Sequence, residues 1–235
     1  MKRALLLLAV LALCGCGVRL ATVKDAQGRD LMLLGHDPVA YFTMGRPLKG
    51  DPALAAEHEG VWYYFARPEH RATFLASPAR YIPQYGAFCA SGAAYGVKLG
   101  SDPTEFAIRD ERLFIFGDIL GHEYWKLDPA WHVRHADQIW PEAGASGHRW
   151  QSLKRILFTV PWYKNSREAH AEWRAKNPDS RVNYDPGGLP RNLLLKYPGW
   201  RAREGFGQPA LGIPGLDPCP PACPGSVSEG YQPPT

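Results

Sequence analysis

The chain has 235 residues, with 27 Lys and Arg against 23 Asp and Glu (formal charge +4 at pH 7), 45% hydrophobic and 21% charged residues. That composition is ordinary for a globular protein and excludes a disordered polyampholyte, a collagen-like rod and a multi-span membrane protein. The net charge is too small to argue for nucleic acid, while 8 Trp, 11 Tyr and 9 Phe are a heavy aromatic load and 24 Gly with 22 Pro predict long loops.

Lys2 and Arg3 precede an uninterrupted apolar run from Ala4 to Leu13, which has the length of a signal-peptide core and is too short to span a bilayer. The run ends in Leu13-Cys14-Gly15-Cys16, which resembles the lipobox of bacterial lipoprotein signals. Cys16 fits as the lipidated residue because Gly15 is small, whereas Cys14 follows the bulky Leu13. Residues 1–15 are then a signal peptide and 16–29 a lead-in linker; an ordinary secretory signal is the alternative. Gly17 replaces the Asp that resembles inner-membrane retention, so the expected location is the cell envelope, anchored by lipid to the periplasmic face of the outer membrane. Cys89, Cys219 and Cys223 would remain in an oxidising compartment. Cys219 and Cys223, in Cys-Pro-Pro-Ala-Cys, are the disulfide candidate, which leaves Cys89 over.

Farther along, Val39–Phe42 reads as a strand after Asp37-Pro38, and Val61–Phe65 is the strongest strand signal in the chain. Glu69–Ala76 reads as a helix with Phe74 and Leu75 facing inward, started by Pro68 and stopped by Pro78. Gly86–Gly100 is rich in Gly and Ala. Phe106–Ile108 and Leu113–Phe116 flank Asp110-Glu111 as a hairpin. Ile119–Trp140 is helical, interrupted near Asp128-Pro129 and ended by Pro141. Residues 149–203 hold twelve Lys and Arg against four Asp and Glu, with four of the Trp, and the last 29 residues hold eight Pro. That tail buries too little to offset its ordering entropy and is expected to be mobile. His122–Lys126 echoes His170–Arg174, but two short matches do not make a repeat array.

Gly35-His36-Asp37-Pro38-Val39-Ala40-Tyr41-Phe42 resembles the opening of the exported YHS-domain proteins. The likeness continues in order through Trp62 and Phe65, Phe74–Pro78 with Tyr81, Pro83-Gln84-Tyr85-Gly86, Phe88-Cys89-Ala90 and Ala136–Pro141. It covers residues 30–142; a basic aromatic extension (143–204) and the tail (205–235) resemble no family. The expected fold is α+β: a small antiparallel sheet, built from the Tyr41 and Trp62 strands and the 106–116 hairpin, with packed helices and a helical basic extension. YHS domains are similar to small metal-trafficking modules that hold metal with several cysteines, and some accompany heavy-metal transporters. With only Cys89 in the core, a tetrathiolate zinc site is excluded on ligand count, and His36 replaces the family's usual Tyr.

A thiol, an imidazole and a Met suit a soft metal in an oxidising compartment. Cys89 with His36 is therefore the metal-site candidate, copper the first guess, with His58, His70 and Met44 as further donors. Burial as a small hydrophobe competes for Cys89. His132 and His135 lie at i, i+3, where a solvated helix face is the expectation. No nucleophile elbow, phosphate loop or zinc-protease motif is present, and Asp37 reads as a turn residue before Pro38. In the extension, Trp150, Leu153, Ile156, Leu157 and Val160 recur at helical spacing opposite Lys154 and Arg155. That pattern suits a membrane-interface helix, or one docked on the core. Two functions stay open: an envelope lipoprotein that binds a metal or small ligand, and a non-catalytic structural or interaction lipoprotein whose core has lost its ligands and meets an envelope protein partner. Nucleic acid is not an expected partner.

Overall fold

Val61–Phe65 forms the predicted strand, but its ladder partner is the segment just before it. In the computed structural model, which describes residues 19–145, 162, 164 and 166–180, Asp51–His58 (β3) and Val61–Phe65 (β4) make an antiparallel hairpin. Val23–Lys24 (β1) and Asp30–Leu31 (β2) extend it to a four-stranded sheet of order β1-β2-β4-β3, in which the Leu31–Trp62 pairing of β2 with β4 is parallel. Asp102–Arg109 (β5) and Arg112–Phe116 (β6) form a separate two-stranded antiparallel sheet. Seven helices are described: α1 (Ala40–Met44), α2 (Pro68–Ala76), α3 (Pro78–Tyr81), α4 (Ala90–Ala93), α5 (Ile119–Lys126), α6 (Pro129–Ala145) and α7 (Ser166–Lys176). The fold is α+β, as expected.

Four local expectations are corrected. The Tyr41 segment is helix α1, not a strand: the Asp37 carboxylate takes the N–H groups of Val39 and Ala40 as a cap would, Pro38 sets the entry, and Gly45 closes the turn at φ 63°. The sheet is therefore not built from Tyr41, is mixed rather than wholly antiparallel, and excludes the 106–116 hairpin. Leu75 is 47% exposed, because the short α2 turns only the His70 and Phe74 stripe inward. Pro141 does not end α6. Packing holds the turn beyond it: Trp140 lies on Tyr85 and Phe88, Ala143 is buried, and Lys98 Nζ donates to Gly144 O at 2.8 Å. The break at Asp128-Pro129 is where it was expected.

Chain order hides a duplication. Counterpart elements begin 51 residues apart: Asp51 and Asp102 (β3, β5), Val61 and Arg112 (β4, β6), Pro68 and Ile119 (α2, α5), Pro78 and Pro129 (α3, α6). The details repeat too. Both hairpins carry a register shift, after Asp51 and after Asp102. Both two-residue loops have positive φ throughout, at Glu59-Gly60 and Asp110-Glu111, which suits the twist of a hairpin. Each unit opens with three consecutive left-handed residues, Leu33-Leu34-Gly35 (φ 54°, 51°, 77°) and Tyr85-Gly86-Ala87 (54°, 62°, 63°). Phe74 meets Tyr63 and Phe65 at 4.7 and 5.2 Å; in the second unit Trp125 meets Phe114 and Phe116 at 5.6 and 5.4 Å.

The β5–β6 hairpin divides the two cores. Phe106, Leu113 and Ile115 pack with the first unit's Tyr41, Phe65 and Phe74, while Ala107, Phe114 and Phe116 pack with Leu120, Trp125 and Ala136. This is the two-face alternation of a strand with both faces covered. Part of the basic extension joins the second core: Trp173 of α7 is 1% exposed, and Tyr124 donates its hydroxyl to Glu172 at 3.1 Å.

Candidate functional site

Asp37 is the most heavily bonded buried side chain of the first unit. It is fully buried; Oδ1 accepts from Val39 N (2.9 Å) and Ala40 N (3.3 Å), and Oδ2 accepts from Ala66 N (2.8 Å). Its remaining contact is to His70 Nδ1 at 2.6 Å. One carboxylate thus ties the start of α1, the end of β4 and the first turn of α2. A carboxylate accepts, so Nδ1 is the donor of this contact, and in the neutral ring the lone pair then falls on Nε2. That nitrogen lies 3.4 Å from the hydroxyl of Thr43, an exposed residue of α1 whose Oγ1 also sits 3.0 Å from Val39 O. By sequence Asp37 is a turn residue and His70 one of several further donors. Their pairing carries no local signal, since 33 residues separate them.

Cys89 holds the corresponding place in the second unit, just ahead of α4. It is a free, buried thiol, with Sγ 3.1 Å from Ser91 Oγ and hydrogen-bonded by the Gly92 and Gly117 backbone. Gly117 stands 51 residues after Ala66, which serves Asp37 in the same way. Burial pushes the thiol up from its usual range, and the Asp118 carboxylate adds to the shift. A protonated buried thiol is a weak nucleophile and must lose its proton to bind metal.

His36 joins a different set of groups. Its Nδ1 is 2.9 Å from Leu33 O, its backbone bridges to Lys49, and burial, with the Lys49 charge, holds the ring at about 4. The structure does not bring His36 and Cys89 into contact, and among the described residues no group of three or more His, Cys, Asp or Glu is placed to hold a metal. His58 packs edge-on to Phe74. His132 departs from the solvated face expected for it: it is 3% exposed, with Nδ1 on Asp128 O at 2.8 Å and Nε2 without a partner, and burial brings it down to about 4. His135 does lie nearer the surface, its Nδ1 2.8 Å from Trp131 O and its ring against Trp131 and Trp162. Cys16, Cys219, Cys223, Trp150, Lys154 and Arg155 lie outside the described residues. Among the described residues no helix is long and apolar enough to cross a membrane. Comparison with protein-family models, with curated proteins and with solved structures finds no match to this chain.

Proposed function

We propose that the protein is an interaction module of the cell envelope, tethered through a lipid on Cys16, whose body of residues 30–142 presents a rigid surface to an envelope protein partner. The YHS likeness enters this reading through its motifs alone. The observation that supports an interaction module over a copper site is the separation of the two soft donors: Cys89 bonds to Ser91 and backbone in the second core, and His36 bonds to Leu33 in the first unit. Docking of α7 through Trp173 gives the same reading a second support, since it makes part of the basic extension a fixed feature of the surface. The test is metal content per chain after purification without chelator, alongside crosslinking of the lipidated protein in intact cells. The expected result is metal well below one per chain, unchanged in Cys89→Ser, together with a discrete crosslinked protein. Copper near one per chain that Cys89→Ser removes would overturn the reading and restore the metal site.

A further inference from the structure

The two units differ chemically at one equivalent place. Where the first has Asp37 and His70, the second has Cys89, 52 residues on, and Gly121, 51 residues on. The second unit builds the same left-handed turn, short helix, bulged hairpin and helix with no imidazole there; a side chain at Gly121 would start 3.0 Å from Cys89 Sγ and 3.1 Å from Ser91 Oγ. The second unit's own imidazole–carboxylate contact, His122 Nδ1 to Glu105 at 2.9 Å, lies one residue along α5, so the architecture does not require an imidazole at this particular place. The Asp37–His70 pair also opens outward, because Asp37 is fully buried, His70 is 8% exposed and Thr43 is exposed.

We propose that Thr43, His70 and Asp37 form a hydroxyl–imidazole–carboxylate relay that accepts an acyl group from activated esters. Asp37 fixes the ring through Nδ1–H, and Nε2 faces the hydroxyl at 3.4 Å, a separation within the looser range of unliganded nucleophile–base pairs. Turning the Thr43 hydroxyl hydrogen from Val39 O to Nε2 is a rotation about one C–O bond. In the step, Thr43 Oγ1 bonds to the acyl carbon and the bond from that carbon to the leaving oxygen breaks. The hydroxyl proton passes to His70 Nε2 and then to the departing oxygen. Water, activated by the same nitrogen, would release the acid and regenerate Thr43. The Val39 and Ala40 N–H groups are occupied by Asp37 and do not serve a tetrahedral oxyanion. The relay is thus matched to acyl donors with good oxygen leaving groups, such as aryl esters, rather than to amides.

The full chain is incubated with p-nitrophenyl acetate, and the acetylated residue is located by peptide mass spectrometry while release of p-nitrophenol is followed. Acetyl on Thr43 is expected, with its rate of formation reduced about 100-fold or more in His70→Gln, the usual size of a general-base contribution. Thr43→Val, at an exposed position that leaves Asp37 and His70 in place, should lose the label with the circular dichroism spectrum intact. Thr43→Ser should keep it, and Cys89→Ser should not change it. Acetyl found only on lysines or Cys89, or Thr43 labelled equally fast in His70→Gln, overturns the proposal.

Discussion

Asp37→Ala and Cys89→Ala remove the buried side chain from equivalent places in the two units, and the structure predicts unequal losses. Without the Asp37 carboxylate, Val39 N, Ala40 N and Ala66 N lose their acceptor and His70 loses the partner of its 2.6 Å contact. A buried donor left unsatisfied costs about 1–3 kcal/mol, and a hydrogen bond to a charged group contributes about 1.5–3 kcal/mol. These overlap, so the expected loss is about 4 kcal/mol, a large share of the roughly 5–15 kcal/mol that holds a domain together. At Cys89 the removed group is a neutral sulfur whose hydrogen bonds are weak, and about 1 kcal/mol is expected. Urea unfolding followed by Trp fluorescence near neutral pH measures both, with an unchanged m-value showing that the unfolded reference is shared. Equal losses, or a loss below about 1.5 kcal/mol for Asp37→Ala, would refute the claim that this carboxylate fastens the first unit.

Acid should destabilise the protein through His36 and His132, both held at about 4 by burial. Their unfolded value is about 6.5, so the unfolded chain takes up protons first as pH falls. Stability is full above about pH 6.5 and drops towards pH 4, by about 2.5 kcal/mol per ring at pH 4.5; urea midpoints across that range test it, and His132→Gln should flatten the slope. Gly121→Ala places a methyl 3.0 Å from Cys89 Sγ and is expected to cost about 1–2 kcal/mol. That loss should shrink in a Cys89→Ala background, which a double-mutant cycle reads directly. Trp173→Ala empties a site that is 1% exposed in the second core. A loss of about 3–5 kcal/mol in urea unfolding is expected; a loss under about 1 kcal/mol would mean that α7 does not stabilise the core.

The sequence alone determined what local chemistry decides. Val61–Phe65 is rich in β-formers, Asp110-Glu111 sits where a tight hairpin loop is needed, Pro68 opens α2, and Asp128-Pro129 breaks α5 from α6. Each is a propensity or a stereochemical constraint acting over a few residues, and together they were enough for the α+β class. Local signals failed where a distant group outweighed them. Val39-Ala40-Tyr41-Phe42 carries strand formers, yet a carboxylate that also binds Ala66 and His70 caps it as a helix. Asp51–His58, rich in Ala, becomes a strand because β4 offers it a ladder and an apolar face.

The duplication was present in the sequence as Asp-Pro at 51 and 102 and Pro-Ala at 78 and 129, two dipeptides too short to stand out. What the units share is side-chain volume and facing, as in Phe74 and Trp125, and identity was not needed to keep it. The candidate site was less legible still. Asp37 and His70 appear separately, as a turn residue and a spare histidine, and Thr43 carries no signal at all. Only the packing of α2 across the end of β4 sets His70 between the other two. The same packing gave Cys89 and His36, adjacent in motif logic, different neighbours. A propensity acts through the chain's own neighbours, whereas a proton relay or a metal site depends on distances between groups that the chain holds dozens of residues apart. Those distances exist only once the cores have closed.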